Sequence, residues 1–128
     1  MDFYCEEVSK QTPEARLSLD TMEFLLKGFS RPENADKYYQ PIYAWINKNE
    51  QQIMANGKKL NIIIDLDFIN SSSLIYIIKL LKQCVDVRHA RNLEIFWYYD
   101  ECDAEDIIET CDELCTVIGI PFTMVCRP

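Results

Sequence analysis

The alternation of polar and apolar positions near the start of the chain predicts a β-hairpin. Residues 1–13 form a polar stretch ending in a proline, and we expect a flexible leader there. Residues 16–20 alternate polar and apolar side chains, which is typical of a half-buried strand, and residues 22–29 predict a second strand. Strands this close in sequence pair as an antiparallel hairpin. We therefore expect a single domain over residues 14–128.

Three later stretches repeat their apolar residues at the spacing of an α-helix. Their predicted first residues are Ser30 or Asn34, Ser72 or Ser73, and Asp103. Pro41 lies inside the first pattern, so it should kink that helix or delay its first turn. The first pattern ends at Asn56 and Gly57, and the third ends at Gly119, a residue that favours helix C-termini.

Strands alternate with these helices, at residues 59–69, 93–99 and 122–126. The order ββαβαβαβ predicts an α/β fold, because strand–helix–strand units form parallel sheets with right-handed crossovers. We expect a mostly parallel central sheet with an N-terminal antiparallel hairpin and flanking helices. The strand at 59–69 is apolar on both faces, which predicts helices over at least part of both sides of the sheet.

Composition narrows the functional classes. The chain has 128 residues and a net charge of −8. Nucleic acids and anionic membranes bind proteins that carry clustered Lys and Arg, so the negative charge argues against both as the main partner. No apolar run reaches the length needed to span a bilayer, and the N-terminus lacks a signal-peptide pattern. We expect a cytoplasmic protein that binds neither nucleic acid nor the membrane interior.

The cysteines and the single histidine do not form a metal-binding pattern. The six cysteines contain no CxxC pair, and we interpret them as reduced thiols. His89 lies near a predicted helix C-terminus, where a polar residue is ordinary. With three glycines, the chain also lacks a phosphate-binding loop. We expect no cofactor and no catalysis by His89.

The one enzymatic function that we consider as an alternative depends on two aspartates at the end of the central strand. Asp65 and Asp67 are two residues apart and therefore point to the same side of the strand. They would suit a small metal-dependent phosphotransferase or hydrolase. We favour the simpler interpretation, in which one or both of them bind backbone amides at the strand end, because no further acidic ligand or phosphate loop is identifiable.

A serine cluster follows these aspartates at the predicted start of the second helix. Helix N-termini carry unpaired N–H groups and a partial positive charge, so they favour serine caps and accommodate phosphate. Ser72 and Ser73 are candidate caps. Phosphorylation of the cluster is the functional alternative, because a phosphate adds about −2 charge and changes how this corner meets a partner.

The second helix also carries a second apolar stripe. Tyr76, Leu80 and Val87 are spaced by four and seven residues, apart from the main core stripe. Three interpretations are open. A neighbouring helix covers this stripe, the stripe is a docking surface beside the serines, or a homodimer buries it.

At residues 62–74, IIIDLDFINSSSL, the sequence resembles the anti-sigma-factor-antagonist (STAS) pattern, in which an apolar strand runs into Asp-Ser-Ser-Gly-Leu. A closer resemblance is to the SiaC-type family of bacterial regulatory phosphoproteins. The segments that carry it are Arg16–Leu19, Pro32–Asn34, Trp45, Asn70–Ser73, Trp97–Asp100 and Pro121–Phe122.

This resemblance implies a STAS-like fold and a non-catalytic partner-switching protein. It implies that a serine/threonine kinase phosphorylates Ser71, with Asn70, Ser72 and Ser73 shaping the turn, and that a PP2C-type phosphatase removes the phosphate. It further implies that the unmodified form binds and activates a diguanylate cyclase and so raises cyclic di-GMP. A partner-switching regulator of another effector is the alternative within this class.

Overall fold

The computed structural model describes residues 2–5 and 11–128. Within them the strands are β1 (Phe3–Cys5), β2 (Glu14–Ser18), β3 (Glu23–Ser30), β4 (Leu60–Ile69), β5 (Leu93–Tyr99) and β6 (Thr123–Cys126). The helices are α1 (Ala35–Lys48), α2 (Glu50–Ala55), α3 (Ser71–Val87) and α4 (Ala104–Ile118), and a 3₁₀ turn at Glu101–Asp103 precedes α4. None of these helices has the length and apolarity needed to cross a membrane.

The six strands form one sheet whose spatial order is the order of the chain. β1, β2 and β3 pair antiparallel, and β3 to β6 pair parallel. The predicted α/β fold with an antiparallel start is therefore confirmed. β1 is an addition, since it lies within the stretch predicted as a flexible leader, and residues 6–10 of that stretch lie outside the described residues.

The core lies on one face of the sheet. Alternate residues of β4, from Leu60 to Leu66, are buried there, and Ile95 and Trp97 of β5 lie beside them. Right-handed crossovers between strands laid down in chain order place successive helices on the same face. Ile63 and Asp65, on the opposite face, stay partly exposed. The expectation of helices on both faces is therefore not met.

The first predicted helix is two helices. Asn34 caps α1, because its side-chain oxygen accepts a hydrogen bond from the Lys37 amide at 3.1 Å. The helix continues through Pro41 and ends instead at Asn49, whose side-chain amide donates to the Trp45 carbonyl. α2 starts directly after this buried asparagine. The break therefore lies at an asparagine whose side chain bonds a helix carbonyl, and not at the proline.

A β-bulge changes the direction of the side chains at the end of β4. Gly28 lies opposite Leu66, but the next residue, Phe29, lies opposite Phe68. Asp67 is thus an extra residue, and two consecutive side chains of β4 leave the core side. Phe68 is 46% exposed as a result, although an uninterrupted alternation would place it in the core.

His89 has a structural place at the end of α3. Its N–H donates to the Asp86 carbonyl, and the Ala90 N–H donates to the Val85 carbonyl, which is the Schellman arrangement of a helix C-terminus. His89 adopts the left-handed backbone conformation (φ 53°) that this arrangement requires. The position of His89 is therefore explained without a chemical role.

Candidate functional site

The candidate site is the turn between β4 and α3, which is fixed at two points. The Asn70 N–H donates to the Ser30 carbonyl at 2.9 Å, which ties the turn to the end of β3. The Asn70 side-chain oxygen accepts from the Ser73 N–H at 2.8 Å. Asn70 is therefore the N-cap, and the helix begins at Ser71. The prediction that Ser72 or Ser73 starts the helix was wrong, because the asparagine outcompetes the serines for the cap position.

The three serines of the turn differ in accessibility. Ser71 and Ser72 occupy the first two positions of α3 and are exposed. Ser73 is fully buried. An enzyme reaches only an accessible side chain, so the Ser71 and Ser72 hydroxyls are open to a partner protein whereas the Ser73 hydroxyl is not.

A buried hydroxyl pair supports the turn from below. The Ser30 and Tyr39 hydroxyl oxygens lie 2.6 Å apart, and both residues are fully buried. Burial raises the pKa of Tyr39 to about 12, although the hydrogen bond with Ser30 opposes this shift. The Tyr39 ring also stacks on Tyr76 of α3, with ring centroids 5.8 Å apart. α1, β3 and α3 are thereby joined under the serines.

Two exposed apolar side chains flank the accessible serines. Phe68 precedes the turn, and Ile75, one helical turn after Ser71, is 55% exposed. We refer to Phe68, Ser71, Ser72 and Ile75 as the serine patch. Sequence reasoning missed both apolar residues, because Phe68 lies at an unforeseen bulge and Ile75 belongs to neither of the two apolar stripes recognised on α3. The one available signal was that Ile75 lies four residues after Ser71, which makes the two side chains neighbours on the surface of a helix.

The second apolar stripe of α3 is not a docking surface. Leu80 and Val87 are buried within the chain. The Tyr76 backbone carbonyl accepts a hydrogen bond from the Tyr43 hydroxyl, and its side-chain hydroxyl donates to Asp36. Both partners belong to α1, so this neighbouring helix packs against Tyr76. The docking and homodimer interpretations are therefore corrected for Leu80 and Val87, which are buried, whereas Tyr76 stays partly exposed.

The strand aspartates bind an arginine that the sequence analysis did not single out. The Arg127 guanidinium lies 2.7 Å from Asp65 and 3.7 Å from Asp67, and 3.2 Å from Asp100. Burial lowers the pKa of Arg127, but the hydrogen bonds to Asp65 and Asp100 outweigh it and hold that pKa above its ordinary value. The expectation that the aspartates bind backbone amides was wrong for Asp65, because Arg127, which follows β6, reaches it across the sheet.

This arrangement gives no support to metal chemistry at the strand end. A cationic guanidinium already lies among the carboxylates of the cluster. In residues 2–5 and 11–128, no group of His, Cys, Asp or Glu side chains is placed to hold a metal ion. Asp67, Asp100 and Arg127 instead line one side of a cleft of about 230 Å³, and Phe68 and Ile107 lie on its walls.

None of the six cysteines forms a disulfide, and all six lie within the described residues. Burial raises the pKa of Cys84 to about 12, and burial next to Cys115 and Asp112 raises the pKa of Cys111 to about 12. A raised pKa keeps a thiol protonated and unreactive at neutral pH. These two cysteines therefore serve as small apolar core residues.

Comparison with known proteins identifies the family of this chain. A family profile described as "SiaC family regulatory phosphoprotein" matches residues 6–127. A search of curated protein sequences finds no match.

Solved structures share the fold at low sequence identity. A chain of the crystal structure of the diguanylate cyclase SiaD in complex with its activator SiaC from Pseudomonas aeruginosa is 18% identical and superposes with a TM-score of 0.81, with 98% of this chain and 99% of that chain covered. A structure of SiaC of Pseudomonas aeruginosa gives 0.80 at 18% identity, with 99% of both chains covered. Apo-SiaC from Pseudomonas aeruginosa gives 0.78 at 18% identity, with 98% of both covered.

Proposed function

The chain belongs to the SiaC family of regulatory phosphoproteins, and we propose on that basis that it is a non-catalytic adaptor switched by reversible phosphorylation of Ser71. The observation that carries this proposal is the difference between the serines. Ser71 is exposed at the first position of α3, directly after its asparagine cap, whereas Ser73 is buried. Ser72 is exposed too, so the choice of Ser71 rests on the position that the family resemblance gives it.

The unmodified serine patch is suited to bind a protein partner. Phe68 and Ile75 expose apolar surface on either side of Ser71, and exposed apolar side chains that cluster around a candidate site mark interaction surfaces. The partner that we propose is a diguanylate cyclase, by analogy with the complex between SiaD and SiaC. In this proposal the adaptor raises cyclic di-GMP by activating the cyclase.

A phosphate on Ser71 would weaken this contact for a physical reason. The phosphate carries about −2 charge. Burying this charge against apolar side chains costs free energy, because the phosphate loses its hydration. Phosphorylation therefore favours the free adaptor, and the unphosphorylated form is the activator.

The reversible switch requires two further partners in the same compartment. We propose a serine/threonine kinase that modifies Ser71 and a PP2C-type phosphatase that restores it, in the cytoplasm. The adaptor supplies an accessible hydroxyl to both enzymes, and the fold presents it on a capped helix that needs no rearrangement to expose it.

Kinase labelling tests this proposal directly. The cognate kinase is incubated with the wild-type chain and with Ser71→Ala and Ser72→Ala, and the modified residue is located by mass spectrometry. We expect one phosphate on the wild type and on Ser72→Ala, and none on Ser71→Ala. Labelling of Ser71→Ala at the wild-type rate would remove Ser71 from the proposal, because the phosphate would then lie on another residue.

A further inference from the structure

Arg31 and Ser71 lie on two segments that the fold holds side by side. The Ser30 carbonyl accepts the Asn70 N–H at 2.9 Å, and Arg31 and Ser71 are the residues that directly follow these two. The Arg31 N–H is itself bonded to the Gln11 carbonyl at 2.8 Å, so the backbone of the arginine is fixed. The carboxyl end of β3 thus presents a cation next to the turn that carries the serine.

The guanidinium of Arg31 lies over aromatic rings at this edge of the sheet. Its central carbon is 5.1 Å from the ring centroid of Phe29 and 5.8 Å from that of Phe68. Phe29 and Phe68 are paired residues of β3 and β4, immediately after the bulge. Because Phe68 belongs to the serine patch, the arginine covers part of the surface that surrounds Ser71.

We propose that Arg31 binds the phosphate of phosphoserine 71. This inference rests on the proposed function, in which Ser71 is the modified residue. A guanidinium pairs with phosphate oxygens through two parallel N–H···O bonds, a stronger interaction than its contact with an exposed ring. On phosphorylation, in this proposal, the guanidinium turns towards the phosphate on the adjacent segment. The modified and unmodified patches then differ in the position of an arginine as well as in charge.

The phosphate's own ionisation gives a measurement specific to this contact. Asp67 precedes the turn on β4, and Glu33 and Asp36 follow Arg31 on the neighbouring segment; these three side chains are acidic, whereas Lys37, next to Asp36, and Lys79, further along α3, are cationic. Acidic neighbours raise the second pKa of a phosphate, whereas a bound guanidinium lowers it. The N-terminus of α3 also lowers this pKa, but it does so equally in every variant of Arg31. A rise in the phosphate pKa on removal of Arg31 therefore reports the contact itself.

The test uses phosphoserine incorporated at position 71 during translation, so that its result does not depend on any kinase. The second pKa of the phosphate is measured by ³¹P NMR titration in the wild type, Arg31→Gln and Arg31→Lys. Arg91→Gln is the matched control, since Arg91 is an exposed arginine that precedes β5. It lies at the amino ends of the parallel strands, whereas the serine turn lies at their carboxyl ends. Circular dichroism confirms that each variant is folded.

We expect the phosphate pKa to rise by about half a unit or more in Arg31→Gln, to rise less in Arg31→Lys, and to stay unchanged in Arg91→Gln. Equal values in the wild type, Arg31→Gln and Arg31→Lys would overturn the inference. If Arg31→Gln does not fold, Arg31→Lys decides, because lysine keeps the charge but loses the bidentate geometry. Failure of the kinase to label Ser71 would instead overturn the proposed function and leave this result standing.

Discussion

The side-chain oxygen of Asn70 accepts a hydrogen bond from the backbone N–H of Ser73 at 2.8 Å. This contact caps the N-terminus of α3 directly after β4, so Ser71 is the first residue of the helix. The capped N-terminus presents Ser71 and Ser72 to solvent and draws Ser73 into the core. The accessibility of the proposed phosphosite therefore depends on the asparagine that precedes it.

Removal of this cap should destabilise the fold. We expect Asn70→Ala to lower the free energy of unfolding by about 1 kcal/mol, since the Ser73 N–H loses its acceptor. Asn70→Asp retains an oxygen in the same place and should stay within about 0.5 kcal/mol of the wild type. Urea unfolding measures both. A cost for Asn70→Asp as large as that for Asn70→Ala would show that the side-chain oxygen is not what the turn needs.

Disruption of the serine patch should weaken cyclase binding without affecting stability. Phe68→Ser and Ile75→Ser remove exposed apolar surface, and we expect each to reduce affinity for the cognate diguanylate cyclase at least about tenfold. Isothermal titration calorimetry measures this. Met54 and Val117 are exposed to a similar extent, 51% and 55%, and give matched controls. If Met54→Ser and Val117→Ser weaken binding as much, the docking surface lies elsewhere.

The Arg127 cluster should contribute to stability. Arg127→Met leaves Asp65, Asp67 and Asp100 without their counter-charge, and we expect the free energy of unfolding to fall by about 1–3 kcal/mol. Arg16→Met is the control, because Arg16 pairs with Glu14 with its side chain 53% exposed, and such pairs contribute at most about 1 kcal/mol. Equal effects of the two substitutions in urea unfolding would contradict the assigned role of Arg127.

Buried thiols should make the protein less stable in alkali. The pKa of Cys84 and that of Cys111 are both raised to about 12 from an ordinary value of 9. A raised folded pKa means that the contribution to stability is complete below pH 9. It is lost as pH rises towards 12, because the thiol ionises first in the unfolded chain.

The free energy of unfolding should therefore fall above pH 9, by up to about 1.4 kcal/mol per pH unit for each buried thiol. Urea unfolding at pH 8, 9 and 10 under reducing conditions should give a shallower fall for Cys84→Ala than for the wild type. Cys102→Ala removes an exposed cysteine and should keep the wild-type fall, since both buried thiols remain. Identical falls in all three proteins would mean that Cys84 ionises as easily in the folded state.

Local sequence signals predicted most of the fold because they are strong and short-range. The strand at 93–99 was placed with its observed bounds, since all of its residues except Glu94 are apolar or aromatic and such a run has few alternatives. The end of α4 at Gly119 followed from glycine alone, and this residue indeed adopts the left-handed conformation (φ 97°). Parallel pairing followed from the alternation of elements.

The features that could not be predicted from the sequence depend on contacts between distant segments of the chain. The burial of Leu80 depends on how distant elements pack together, and the link from Arg127 to Asp65 spans 62 residues of sequence. A bulge at Asp67 reverses the direction of Phe68, and a pattern with period two carries no sign of an inserted residue. The cap at Asn70 was within reach of local rules, but three adjacent serines obscured it.

The central claim is that phosphorylation of Ser71 turns the adaptor off. The most direct test is the rate of cyclic di-GMP synthesis by the cognate cyclase in the presence of this chain with either serine or phosphoserine at position 71. We predict that the serine form and Ser71→Ala both activate the cyclase, and that the phosphoserine form binds at least about tenfold more weakly and fails to activate it. Equal activation by the serine and phosphoserine forms would contradict the account.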